Sequence, residues 1–202
     1  MKILLIGPQA SGKGTQAKLL AKRLGVPHIS TGDLLRNATG DLRKEIDSYI
    51  VAGNLYPDEG MLKILKGRFE ESDCENGWIL DGFPRNLKQA EMLDSITKID
   101  KVVEISISDD EAVKRISDRR HCEDCKQDYN LVTMPPKDPA KCDKCGGKLV
   151  ARADDTPEAA RKRLGIYHAD TEPILEHYPH VKINGEQSVE NVFEDVLKAL
   201  EG

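Results

Sequence analysis

Apolar residues along the chain fall into short continuous runs, separated by longer stretches in which they recur every three or four positions. Lys2 to Ile6 is apolar almost throughout and ends at Gly7, which predicts a strand buried on both faces. From Gly12 to Leu24 the apolar positions Ala17, Leu20, Ala21 and Leu24 take helical spacing, and Gly25 with Pro27 ends the helix. His28 to Ser30 predicts a short extended piece. Thr31 to Ala52 predicts two helices, broken at Gly40-Asp41 and closed by Gly53, and Leu62 to Phe69 continues helical. Gly77 to Leu80, ending at Asp81, and Val102 to Ile107 predict further strands, each followed by a helix, over Leu87–Ile96 and Glu111–Arg120. Thr156 before Pro157 marks the start of a long helical stretch that runs to Tyr178, since proline suits the first turn. Val181 to Ile183 is a last short strand, and Val189 to Leu200 an amphipathic helix.

Strands alternating with helices predict an α/β fold of three layers, a parallel five-stranded sheet with helices on both faces. One segment breaks the alternation. Cys122 to about Val150 is rich in Cys, Pro, Gly, Asp and Lys and has no helical period, so it predicts an inserted small module.

Composition narrows the function. At 202 residues the chain holds one core-bearing domain with insertions. A net charge of -5 with both signs interspersed, and only 4% aromatic residues, argue against a basic, base-stacking face for nucleic acid. No apolar run approaches the roughly 20 residues needed to cross a bilayer, and the N-terminus lacks the apolar region of a secretory signal, so a cytoplasmic location is expected. Of five cysteines, four form two Cys-x2-Cys pairs and Cys74 stands alone, which in a reducing compartment reads as metal rather than disulfides.

Between the first strand and first helix lies Gly7-Pro8-Gln9-Ala10-Ser11-Gly12-Lys13-Gly14-Thr15. Backbone N–H groups in such a loop converge on phosphate oxygens, and the helix N-terminus adds partial positive charge. Lys13 is placed to reach terminal phosphates and Thr15 to supply a hydroxyl near magnesium. Cys122 and Cys125, then Cys142 and Cys145 after 16 residues, can meet in one tetrahedral all-sulfur zinc site. Four cysteines leave no open position, so the metal is expected to be structural, with His121 as a competing ligand. His28, His168, His177 and His180 read as structural or exposed.

The Gly-Lys-Gly-Thr ending, Thr31-Gly32-Asp33-Leu34-Leu35-Arg36 and Leu80-Asp81-Gly82-Phe83-Pro84-Arg85 with Gln89 resemble the adenylate kinases, from Met1 to the C-terminal helix. The resemblance implies reversible phosphoryl transfer from ATP to AMP giving two ADP, with magnesium accompanying ATP, in a monomer. It implies a core of residues 1–29, 57–118 and 156–202, a monophosphate-binding insertion of 30–56, and a β-rich zinc lid of 119–155. On the donor side it implies contacts to ATP from Ala10, Ser11, Gly12, Lys13, Gly14, Thr15, Arg115, Arg119, Asp128, Tyr129 and Gln187. On the acceptor side it implies Thr31, Arg36, Asn54, Leu55, Tyr56, Gly82, Phe83, Pro84, Arg85 and Gln89, with Arg152 and Arg163 reaching the transferring phosphate. Lys13, Asp81, Arg85, Arg119, Arg152 and Arg163 are the expected catalytic set. Asp154-Asp155 match acids that help close the lid by pairing with arginines, or form an acidic helix start. Asp33 reads as a cap or hydrogen-bonding residue, and Arg120 and Arg161 as surface or structural. Gln9 and Ala10 stand where the family loop has proline and glycine, and alanine is strained there if that position takes positive φ. Tyr56-Pro57 replaces smaller residues. A kinase of UMP, CMP or GMP, and a zinc module that binds nucleic acid, are the alternatives.

Overall fold

The computed structural model describes residues 1–51, 56–151 and 155–201. Five parallel strands form one sheet in the order β2-β3-β1-β4-β8: β1 (Lys2–Ile6), β2 (His28–Ser30), β3 (Trp78–Asp81), β4 (Lys101–Ser106) and β8 (Val181–Asn184). Alternate residues of the apolar runs face opposite sides. Ile3, Leu5, Ile79, Val103 and Ile105 pack beneath α1 (Lys13–Leu24) and α9 (Val189–Glu201). Leu4, Ile6, Trp78 and Leu80 pack on the other face, beneath α4 (Asp58–Phe69), α5 (Leu87–Asp94) and α8 (Ile174–His177). A strand covered on both faces has no polar side to present, hence the continuous runs in the sequence.

Register brings the site together. Leu5 pairs with Asp81, and Ser30 also pairs with Asp81, so β1, β2 and β3 end at one level. Loops leaving the carboxyl ends of such strands form the usual ligand crevice of an open α/β sheet. From that rim rise α2 (Thr31–Asn37) and α3 (Gly40–Val51), the two helices expected around the Gly40 break.

Two sequence expectations need correction. The helix expected over Glu111–Arg120 is α6 (Asp109–Ser117), and Arg119 and Arg120 already belong to strand β5 (Arg119–Cys122). Helix propensity there yields to antiparallel pairing with β6 (Asp128–Asn130) and β7 (Leu149–Val150), which gives the cysteine module its own three-stranded sheet. The stretch from Pro157 to Tyr178 is also not one helix. Thr156 caps α7 (Pro157–Ile166) by accepting from the Ala159 N–H at 3.2 Å, but a wide π turn over Tyr167–Thr171 separates α7 from α8. Among the described residues no helix is long and apolar enough to cross a membrane.

Candidate active site and metal centre

The loop from Gly7 to Gly12 passes close under β4. A Cβ on Gly7 would stand 2.2 Å from the Ile105 carbonyl oxygen, so this turn admits only glycine. Ala10 sits at φ 63, the left-handed region expected to trouble it. That conformation costs an alanine about 1–2 kcal/mol, whereas glycine carries only the lesser entropic penalty. Ala10→Gly is therefore expected to raise stability by about 0.5–1 kcal/mol, read as a rise of about 1–4 °C in Tm. An unchanged or lower Tm would show that the loop relieves the strain elsewhere.

Gly12 precedes α1 with no side-chain cap, so the first N–H groups of that helix face the crevice without a side-chain acceptor. Lys13 curls back over the loop and donates to the carbonyls of Gly7 and Pro8, each at 2.7 Å, and to Ser11 Oγ at 3.4 Å. Burial pushes its ammonium below the ordinary lysine range; Asp81 opposes that shift and Arg85 adds to it. Asp81, at the end of β3, lies beside the first turn of α1, its Oδ2 3.7 Å from where a Gly14 Cβ would stand. Burial raises the Asp81 pKa, but His28, Lys13 and Arg85 together hold the carboxyl below its usual range. His28 Nε2 is 3.9 Å from Asp81 Oδ2, an approach no sequence pattern indicates because 53 positions separate the two. Thr15 is half-buried on the same turn.

Across the crevice, Arg85 keeps solvent contact while its guanidinium is crowded by protein and lies near Asp81 and Arg36. Burial lowers its pKa, Asp81 partly restores it, and Arg36 lowers it again, so the guanidinium sits where an anion would be welcome. Gly82 at φ 87 comes so close to Thr31 that a Cβ would meet its Oγ1 at 2.7 Å. The Thr31 hydroxyl is buried without a hydrogen-bond partner among the described residues. Ser30, not Asp33, caps α2; Asp33 instead takes the Arg36 guanidinium at 2.7 Å. Phe83 packs in the core. Gln89, expected to read a base edge, has both ends of its amide engaged, accepting from Arg85 N and donating to Asp58 Oδ1 at 2.7 Å each. Tyr56 lies over Gly60, donates to Glu45 at 3.1 Å, and meets Tyr49 edge to face.

On the far side of the phosphate loop, Arg115 donates to Glu111 and to the Gly185 carbonyl at 3.0 Å, joining α6 to the loop that carries Gln187. Gln187 in turn bonds the Asn184 carbonyl and Asp195. Arg119 grips Asp155 through two nitrogens, and Arg163 approaches the same carboxylate at 3.6 Å while donating to Gln9 Oε1 at 3.2 Å. Asp155 thus closes the base of the cysteine module and gathers two of the expected catalytic arginines. Arg120, by contrast, bonds only nearby backbone, as a structural residue would.

The four cysteines converge. Their sulfurs all lie within 4.8 Å of one another, with Cys122–Cys145 at 3.4 Å and Cys125–Cys142 at 3.6 Å. A tetrahedron with metal–sulfur bonds of about 2.3 Å has edges of about 3.8 Å, so the set fits such an ion. Burial raises the Cys142 pKa, but the Tyr129 hydroxyl and the N–H groups of Cys145 and Lys144 outweigh it and bring the thiol to about 6. Tyr129 is buried here, its hydroxyl 3.4 Å from Cys142 Sγ, so its side chain supports the knuckle. His121 lies outside the four-sulfur set.

Comparison with known proteins gives the family. The family profile described as adenylate kinase matches residues 5–183. The chain is 43% identical to the adenylate kinase of Caldicellulosiruptor saccharolyticus, over 99% of each sequence. It is 42% identical to that of Archaeoglobus fulgidus, over 100% of this chain and 98% of that one, and 46% identical to that of Streptomyces avermitilis, over 99% and 97%. The chain belongs to the adenylate kinase family. Of the residues an adenylate kinase is expected to use, the structure brings Lys13, Asp81 and Arg85 to one crevice, and Arg119 and Arg163 to its rim. Arg152, Asn54, Leu55 and Asp154 lie outside the described residues. Asp155 pairs with arginines as the resemblance implies, whereas His28 has no sequence signal as the partner of Asp81; only the register of β2 against β3 reveals it.

Proposed function

We propose that the chain transfers the γ-phosphoryl group of ATP to AMP, reversibly, giving two ADP. The observation that carries the assignment is the meeting of Lys13, Asp81 and Arg85 between two anion positions: the uncapped N-terminus of α1 and the Arg85–Thr31 corner. ATP lays its phosphates in the loop against Ser11, Gly12, Gly14 and Thr15, with Lys13 leaving the loop carbonyls for the terminal phosphates. Its base rests by Arg115 and Gln187, and Asp128 and the backbone of Tyr129 approach from the module. AMP places its phosphate between Arg36, which must leave Asp33, and the terminal nitrogens of Arg85, and its base by Tyr56 and Gln89, which must release Asp58. The reaction spreads negative charge over equatorial oxygens, so fixed positive groups and in-line placement supply most of the catalysis. Arg119 and Arg163 contribute that charge once ATP phosphates displace Asp155.

The carboxylate and hydroxyl of Asp81 and Thr15 are hard-oxygen donors suited to magnesium, which supplies bridging positive charge to the phosphates when bound with ATP. The all-thiolate set selects zinc, held closed and away from the chemistry. Residues 30–56 act as the acceptor insertion and 119–155 as a lid on the core of 1–29, 57–118 and 156–202.

ADP formation from ATP with AMP, UMP, CMP or GMP tests the assignment, with AMP expected to be the best acceptor. Arg85→Ala removes charge-assisted phosphate contacts worth about 3 kcal/mol, so kcat/KM for AMP is expected to fall about 100-fold with ATP binding nearly unchanged. Equal losses for both nucleotides would show the two positions to be misassigned.

A further inference from the structure

Arg85 is held at three points, and none of them is a terminal guanidinium nitrogen. Its N–H donates to Gln89 Oε1 at 2.7 Å and its Nε to the Gly82 carbonyl at 2.7 Å, while its own carbonyl accepts from Thr171 Oγ1 at 2.8 Å. The two terminal nitrogens make no hydrogen bond to the described residues. Gln89 and Gly82 are three or four positions away, so their holds are local. Thr171 is 86 positions away and reaches Arg85 from the turn between α7 and α8.

Bonding both the N–H and the C=O of one residue fixes the peptide planes on either side of it, and with them the direction of its Cα–Cβ bond. A long side chain such as arginine otherwise carries about 2 kcal/mol of rotamer freedom, which must be surrendered when it grips a phosphate. Fixing its backbone and its Nε in advance removes much of that loss.

The π turn explains how Thr171 gets there. Glu172 N–H bonds back five positions to the Tyr167 carbonyl at 2.8 Å, so the turn holds one more residue than an α-helical turn and shifts the faces of everything after it. Tyr167 is buried and anchors the turn in the core beside Leu4 and Leu80. Before the turn, α7 aims Arg163 at Gln9 and Asp155; within it, Thr171 meets Arg85.

We propose that Thr171 is a positioning residue that sets the acceptor-phosphate arginine, Arg85, and so links the segment bearing Arg163, expected at the transferring phosphate, to the acceptor corner. The proposal rests on the reading that Arg85 grips the AMP phosphate. Thr171→Val keeps the shape and removes the donor. Losing one such bond is expected to raise KM for AMP about fivefold, with KM for ATP and Tm close to those of the parent. Thr171→Ser keeps the hydroxyl and is expected to restore the parent KM for AMP. In the Arg85→Ala background, Thr171→Val is expected to change KM for AMP no further, because the group it positions is gone. The proposal is overturned if KM for AMP stays at the parent value in Thr171→Val, or if both KM values rise together with a lower Tm, as a merely structural role would give. It is also overturned if Thr171→Val adds its full effect to Arg85→Ala. Should Thr171→Val fail to fold, Thr171→Ala is read against Thr171→Ser by the same criteria. If Arg85→Ala alone leaves KM for AMP unchanged, the acceptor reading itself fails, and that outcome is separate from every result obtained with Thr171.

Discussion

Lys13→Met is expected to lower turnover by at least ~100-fold while the fold survives, the loss typical of removing one preorganised charge from a transition-state site. Methionine keeps the length and apolar body of the lysine stem, so packing at the start of α1 changes little. What disappears is the ammonium, which in this structure donates to the carbonyls of Gly7 and Pro8 at 2.7 Å. Those bonds lie within the loop, and the loop's backbone course is set by Gly7 against Ile105 and by Gly12 at φ 98, not by Lys13. Removing them therefore leaves the sheet and α1 intact. Burial and the nearby Arg85 keep the ammonium poorly compensated, with Asp81 the opposing charge. A phosphate oxygen is a better partner than a carbonyl, so the lysine is poised to exchange one for the other. The check is ADP formation by the purified variant together with a thermal melt. A variant that melts like the parent and turns over at near-parental rate would remove Lys13 from the mechanism.

The sequence is legible wherever a short segment carries its own chemistry. The phosphate loop is a strand end, a glycine turn and a helix start within nine residues, and each part dictates the next. Cys122, Cys125, Cys142 and Cys145 are legible for the same reason: spacing within each pair sets the bite, and the two pairs meet in one four-sulfur set that could hold an ion. The Ala10 strain was legible only through the resemblance, whose loop has glycine there; the φ of 63 shows that the position does take positive φ. Less legible was whatever depends on a distant partner. His28 reads as a bland histidine until β2 lies against β3 and brings it to Asp81. Glu111 to Arg120 has the composition of a single helix, yet Arg119 and Arg120 pair with β6, because the small module needs strands more than α6 needs another turn. The π turn at Tyr167–Thr171 has no local mark at all; packing of Tyr167 in the core and the Thr171–Arg85 bond select it over a regular helix. Side chains that wait for a ligand are hidden in another way. Arg36 on Asp33, Gln89 on Asp58, and Arg119 on Asp155 each occupy a protein partner that the substrate must replace.

Stripping the metal is expected to unfold the lid and leave the core standing. The buried cluster of the module consists of Cys122, Tyr129, Cys142 and Leu149 with Cys125 against it, so most of its interior is metal ligand. Two or three side chains do not repay the entropy of ordering some thirty residues, and the metal must supply the difference. Structural zinc contributes about 10–16 kcal/mol in small zinc-binding peptides at neutral pH, far beyond what Leu149 and Tyr129 provide. Ligation requires deprotonated sulfur, so affinity falls as pH drops and acid releases the ion. Among the described residues the core has its own clusters on either face of the sheet and against α6, and none shares a buried residue with the module's, which is why the core persists. Without the module, Arg119 and Asp155 lose the sheet that holds β5, and the crevice opens to water. Activity is therefore expected to fall without vanishing, since among the described residues the four sulfurs touch none assigned to the reacting phosphates. Chelator treatment, elemental analysis, a thermal melt and an ADP assay on the same sample test this. The melt is expected to shift down, and zinc, or cobalt with the same tetrahedral preference, to restore both stability and rate. An apo protein that melts and turns over like the parent would remove the stapling role. Activity lost at once, with the fold unchanged, and regained with different metals in order of their Lewis acidity would instead make the ion catalytic.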